Sequence, residues 1–510
     1  MISSIVRLVL PLVLTVSFVA AQEPLPRSLP EKEGVSAAAI SRFVDAASHS
    51  QTEFHSFLFL RHGKVIAEGW WSPYAPELKH TLYSCSKSFT AAAVGFALTE
   101  GKLRLTDKLV SFFPDDLPSP VPPFVAELTV KDALIMSDGM DPDPTPKVVF
   151  DSNWARKFFS IPILHEPGTK FLYNSTGTYM LAAIVQKVTG QTVLDYLKPR
   201  LFEPLGISGE DWETSPQGVN TGGWGLRLKT EDMAKFGQLY LQGGKWKDKQ
   251  ILPQSWVKEA TTMKIMQDPD APPAKKDSSD WLQGYCYQMW RCRHNGVRAD
   301  GAFGQFIIML PDEDAVIAIQ AETANMQDEI NLVWKYLLPS LHPGTLPADP
   351  NADTQLKTQL SSLALPPAKS TGPAYNILDG KSFTLETNAK KMQAISFTTT
   401  ADGMQLTVKG DTAVYYLNFG AGRWANGVTT RSGPNLLNGA VHHDVGLPAF
   451  QTAGSYQWVD DHTLKLVLRY IESPHTETMI CHIDGSKLTI EDQSSFQYGK
   501  GTITITGTQQ

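Results

Sequence analysis

The chain has 510 residues, 42% hydrophobic and 19% charged, with a formal net charge of −7 at pH 7. These proportions are those of a soluble globular protein, and the mildly acidic balance leaves no electrostatic footprint for nucleic acid. At roughly 150 residues per domain the length implies two or three domains.

The first residues read MISSIVRLVLPLVLTVSFVAAQEP. One arginine, an apolar stretch from Leu8 to Val19 and small residues at Ala20 and Ala21 form a secretory signal, expected over residues 1–21. The expected location is therefore secreted or periplasmic. No later stretch is apolar enough to span a bilayer, so no integral membrane span is expected after signal removal. Four cysteines, Cys85, Cys286, Cys292 and Cys481, form no Cys-x-x-Cys or His/Cys cluster. No metal and no cofactor are expected. Three disulfide pairings stay open.

Residues 22–342 mix strand and helix patterns, beginning with the strand-like FLFLRHGKVIAEG. Next comes TLYSCSKSFT, with Ser84 and Lys87 three residues apart. A second copy, Ser255 and Lys258, stands in ILPQSWVKEATTM, where a serine near a proline is ordinary helix-start chemistry. Ser84 differs because SKSFTAAAVGFALTEGKL is apolar all round, which predicts a buried helix. A lysine there is costly unless it has a task. The spacing puts Ser84 and Lys87 on one face. Desolvation lowers the lysine pKa toward that of a useful base, and the helix N-terminus favours an oxyanion.

Further along, HEPGTKFLYNSTGTYMLAAIVQKV places Tyr173 and Ser175 between a Pro-Gly turn and a second apolar helix. Trp224, in a Gly-rich stretch, is expected either to line a substrate cleft or to pack. RADGAFGQFIIMLPDEDAVIAI predicts a hairpin, with Gly301 and Gly304 allowing close backbone approach by a ligand. Residues 343–374, rich in proline and small polar residues, read as a linker. Residues 375–510 carry short alternating segments that predict an antiparallel β domain. Its Trp424, Tyr456, Trp458 and Tyr470 are read as core.

Ser84-x-x-Lys87, Tyr173-x-Ser175 and the Gly301 strand, in this order, resemble the serine β-lactamase-like superfamily. That group includes class C β-lactamases, penicillin-binding D-alanyl peptidases, family VIII esterases and 6-aminohexanoate-dimer hydrolases. The similarity spans roughly residues 30 to 340 and extends to LTVKDALIMSDGM and GGWGLRLKTEDMAKFGQLYLQGGKW. It implies an α+β fold: an antiparallel sheet flanked by helices with a helical insert, here followed by a C-terminal all-β domain. It also implies that Ser84 is the nucleophile, that Lys87 and Tyr173 share acid-base work, and that Ser175 holds Lys87. The backbone N–H groups of Ser84 and Ala302 would form the oxyanion hole.

Two departures bear on substrate. Serine stands at 175 where β-lactamases carry asparagine. Ala299-Asp300-Gly301 stands where Lys-Thr-Gly or His-Thr-Gly is usual. The missing cation and the nearby Asp300 weaken the case for carboxylate-bearing β-lactams and peptide C-termini. Trp224, Asp300 and Gly301 are the expected substrate contacts, and a small ester or amide is the expected substrate. The alternatives are an envelope β-lactamase or D-alanyl peptidase, with Arg298 or Arg227 supplying the cation, and a catalytically silent binding protein. The C-terminal domain is a candidate contact for envelope material.

Overall fold

The computed structural model describes residues 24–369, 377–437 and 439–510. The signal segment read over residues 1–21 lies outside them. No helix among the described residues is long and apolar enough to cross a membrane.

The first half is built on a six-stranded antiparallel sheet. Its strands are β1 (Glu53–Arg61), β2 (Lys64–Trp70), β3 (Trp290–Arg291), β4 (Val297–Gly301), β5 (Gln305–Leu310) and β6 (Ala315–Glu322), in the order β2-β1-β6-β5-β4-β3. From Phe54 to Arg61 every residue of β1 is buried. Successive side chains leave opposite faces: Phe57 and Phe59 enter one core, Leu58 and Leu60 the other. A sheet covered on both sides needs apolar residues at both parities, so β1 reads as an unbroken apolar run.

Helices α1 (Ala37–Ser48), α2 (Ser86–Thr99), α3 (Ser175–Thr189) and α4 (Thr230–Leu241) provide the cover. Ile40, Phe43 and Val44 of α1 pack with Phe57 and Phe59. On the other face α4 meets β5 and β6, where a Cβ on Gly237 would lie 2.7 Å from Val316. Phe236 of α4 stacks on Phe89 of α2 at 3.9 Å. Helix α2 is buried from Ser86 to Ala97, and it lies with α3 in the mostly helical region between β2 and β3. A further helix, α5 (Met326–Leu332), follows β6. The fold is thus α+β, with the sheet, flanking helices and helical insert of the β-lactamase type. Within the stretch read as a linker, Pro350–Ser361 forms helix α6, started by Pro350 and capped by Asp349, whose side chain accepts from Ala352 N–H at 3.0 Å.

The C-terminal strands, from Ser382–Leu385 to Ile503–Gln509, form one continuous sheet. It closes when Val414–Ala421 pairs in parallel with Phe450–Trp458 through Gly420↔Ser455 and Ala421↔Tyr456. The result is a nine-stranded barrel, with Ala425–Thr429 added beside Phe450–Trp458. Trp458 and Tyr470 are buried in its core. Tyr456 is only partly buried, and Trp424 packs at the junction, its indole N–H donating to the Leu365 carbonyl at 3.0 Å.

Charge joins the two halves. Glu53 of β1 and Glu322 of β6 are directly opposite, and like charges so placed repel. The barrel supplies a partner to each. Arg469 donates to both oxygens of Glu53, at 2.5 and 2.9 Å, and the His475 ring meets Glu322 at 2.7 Å. Arg227, fully buried in the short strand Leu226–Leu228, donates to both oxygens of Asp211 and reaches Glu472 of the barrel at 3.4 Å.

Removing one member of a buried ion pair leaves an uncompensated charge and costs about 3–5 kcal/mol. Arg227→Met is expected to lower unfolding stability by about that amount, measured by urea denaturation. An unchanged midpoint and slope would contradict this account of the junction.

Candidate active site

Ser84 lies in a single 3₁₀ turn, Tyr83–Cys85, that leads directly into α2. Lys87, one turn on, is fully buried. Its Nζ is 3.0 Å from Ser84 Oγ, 3.0 Å from Ser175 Oγ and 2.7 Å from the Gly223 carbonyl. Burial pulls the Lys87 pKa down to about 7, although the carboxylates of Asp143 and Asp300 oppose the shift. The neutral amine can donate to Ser175 and Gly223 and offer its lone pair to the Ser84 hydroxyl proton. That is the arrangement a general base requires.

Tyr173 and Ser175 enter at the start of α3. Asn174 is the N-cap, its side-chain oxygen accepting from the Thr176 and Gly177 N–H groups at 2.9 and 3.1 Å. Its amide donates to Asp138 at 2.6 Å. This cap fixes the residues on either side of it. The Tyr173 ring lies 4.9 Å from Lys87 Nζ and stacks on Trp290 at 5.7 Å. Burial first, then the Asp300 charge, hold the phenol pKa well above its ordinary range, with the Ser84 hydroxyl pulling it partly back. Tyr173 is therefore a protonated phenol, suited to giving a proton. Phe171 and Tyr285 pack on the same Trp290, building an aromatic wall beside it.

Gly301 closes β4 against the turn that holds Ser84. A Cβ there would lie 2.1 Å from the Leu82 carbonyl and 3.2 Å from Cys85 N, so only glycine permits this approach. The close neighbour is thus the protein's own backbone, and the contact seats the end of β4 against Leu82 and Cys85, the residues on either side of the Tyr83-Ser84 pair. At Gly304 the close neighbour is again protein, the Glu329 carboxylate of α5.

Asp300 is nearly buried and paired with Arg298, whose Nη2 lies 2.9 Å away. Arg298 also donates to the Asp280 and Arg291 carbonyls and lies over the Trp281 ring at 4.4 Å. Trp224 is buried against Trp154, with ring centroids 5.6 Å apart. Its neighbour Gly223, through a carbonyl, is what reaches Lys87. Cys85 is buried, its Sγ 3.1 Å from the Gln305 carbonyl, and burial pushes its thiol pKa far up, away from reactivity. All four cysteines are free. Ser255 and Lys258 are exposed on the helix Gln254–Thr261.

The structure thus brings Ser84, Lys87, Tyr173 and Ser175 together, with Gly301 behind them and Asp300 neutralised beside them. Sequence reasoning missed the Gly223 carbonyl, the Asn174 cap and the Trp290 stack. The pair Gly222-Gly223 was the one available signal. Elsewhere, Glu213, His443 and Asp444 each bring a donor atom within 4.8 Å of the others. The His443 nitrogens lie 3.6 Å from Glu213 and 3.1 Å from Asp444. Burial lowers the His443 pKa, but the two carboxylates raise it on balance.

Fold and site together define a serine hydrolase of the β-lactamase type. The chain belongs to the Beta-lactamase family, whose model matches residues 43–335. It is 27% identical over 281 residues to 6-aminohexanoate-dimer hydrolase of Paenarthrobacter ureafaciens, covering 51% of this chain and 71% of that protein. It is 27% identical over 143 residues to a candidate D-alanyl-D-alanine carboxypeptidase of Escherichia coli K12, covering 25% of this chain and 33% of that protein. Among solved structures, a candidate 6-aminohexanoate-dimer hydrolase from Bacillus anthracis superposes with a TM-score of 0.52 at 19% identity, over 64% of this chain and 90% of that one.

The lowered lysine pKa gives the pH dependence a sign. The form of Lys87 able to take a proton is the unprotonated amine, which predominates above about pH 7. Acylation of Ser84 by a fluorophosphonate is expected to accelerate as pH rises through about 7 and then level off. Lys87→Ala should lose that limb and about two to four powers of ten in rate. Stopped-flow acylation across pH 5–9 is the measurement, and a flat wild-type profile would remove Lys87 from the role.

Proposed function

We propose that the chain hydrolyses neutral esters or small amides through an acyl-enzyme on Ser84. The supporting observation is the buried Lys87 amine, within hydrogen-bond distance of the Ser84 hydroxyl and with a pKa near 7. Ser84 Oγ attacks the substrate carbonyl while its proton passes to Lys87 Nζ. The C–O or C–N bond then breaks, and the leaving group takes a proton from Lys87 by way of the Tyr173 phenol. Water attacks the acyl carbon, its proton returns through the same pair, and the acid departs from a regenerated Ser84. In this reading the N–H groups of Ser84 and Ala302 stabilise both oxyanions, and Ser175 and Gly223 hold the amine in line. A catalytically silent fold would have no use for so costly an amine.

Charge favours a neutral substrate. Both guanidinium groups considered as partners for a substrate carboxylate are committed elsewhere: Arg298 to Asp300, and Arg227 to Asp211 and Glu472. The aromatic wall around Trp290 suits an apolar acyl or alcohol group. The Paenarthrobacter relative, named for a 6-aminohexanoate dimer, keeps the amide bond within the proposal, but such a dimer carries a carboxylate and lends no support to the preference for a neutral substrate. A secreted or periplasmic location is proposed on the N-terminal segment alone.

A hydrogen bond to a charged group contributes about 1.5–3 kcal/mol, or one to two powers of ten. p-Nitrophenyl butyrate is accordingly expected to exceed nitrocefin in kcat/KM by at least about tenfold, with Ser84→Ala inactive on both. Equal efficiency toward nitrocefin would reverse the substrate assignment.

A further inference from the structure

The two turns of the site meet one residue of the barrel. Tyr83 precedes Ser84 and Phe303 follows Ala302, and both take left-handed backbone conformations, with φ of 46° and 67°. Neither is glycine, so both conformations are strained and must be held by their surroundings. The same side chain, His475, touches both.

His475 is fully buried. Its Nδ1 is 2.7 Å from Glu322 Oε1, which also accepts from the Ser495 hydroxyl at 2.8 Å. A carboxylate on Nδ1 keeps the proton there and leaves Nε2 as an acceptor. The Tyr83 hydroxyl fills that place, 2.5 Å from Nε2. The Phe303 ring stands edge-on to the imidazole at 4.8 Å and edge-on to Tyr83 at 5.4 Å. Phe496 of the barrel backs both Phe303 and His475, at 5.8 and 4.9 Å. The chain of contacts runs Glu322, His475, Tyr83 to the nucleophile, and His475, Phe303 to the oxyanion turn.

We propose that His475 is a positioning residue of the hydrolase centre. Through Tyr83 and Phe303 it fixes the Ser84 hydroxyl relative to the Ala302 N–H, and the barrel is thereby part of the catalytic apparatus. This rests on the reading of Ser84 as nucleophile. His475 touches neither Ser84 nor Lys87 and handles no proton of the reaction. Its loss should lower the rate without moving the pH limb set by Lys87.

The full-length chain is the test material. Fluorophosphonate labelling of wild type, mapped by mass spectrometry, first checks Ser84. Tyr83→Phe removes one oxygen and keeps the ring, so it is the decisive variant. It should lower kcat for p-nitrophenyl butyrate, and the acylation rate, by about ten- to a hundredfold, the scale of a small misplacement at the reacting atoms. KM and the pH of the limb should stay near wild type. His475→Ala should lose at least as much, His475→Gln should recover part by accepting the Tyr83 proton, and the double variant should be no slower than His475→Ala alone. If His475→Ala fails to fold, Tyr83→Phe still decides. Labelling at a different serine overturns the proposed function and this inference with it. Labelling at Ser84 with wild-type kcat in Tyr83→Phe, or losses that multiply in the double variant, overturns this inference alone.

Discussion

One amine kept out of water governs the design. A lysine inside a protein is expensive while charged, and that expense is what brings Lys87 to the edge of neutrality. The enclosure has to be complete, which explains why α2 is apolar on every face and not along one stripe. It also explains the crowding around the amine. A Cβ on Gly223 would stand 2.7 Å from the Ser175 carbonyl, so glycine lets the segment bearing the Lys87 acceptor close onto α3. Widening that contact would admit water and return the lysine toward its ordinary protonated state.

The parts of the site visible in the sequence were those written in local side-chain patterns. Ser84 and Lys87 share a helix turn, and Tyr173 and Ser175 flank one N-cap. What escaped was carried by backbone or by distant chain. The Gly223 carbonyl has no side-chain signature. His475 lies 392 positions from Tyr83, in a segment that reads as ordinary barrel.

Asp300 was legible but incompletely read. Strand alternation, which turns Arg298 away from the Ala299 side, also puts it on the same side as Asp300. The expected free negative charge is therefore an internal ion pair. The helix Pro350–Ser361 was hidden for a related reason. A proline after an aspartate reads as loop chemistry, yet the same pair is a sound helix start.

The strand order has a bearing on synthesis. The inner neighbour of β1 is β6, so Glu53–Arg61 leaves the ribosome more than 250 residues before Ala315–Glu322 can pair with it. Until then β1 and β2 are a lone hairpin, marginal in water, with Phe57, Phe59, Leu58 and Leu60 uncovered. Contacts so remote along the chain make for slow folding and a long exposure of apolar strand. While β6 is missing, those apolar side chains are the part of the hairpin most open to aggregation.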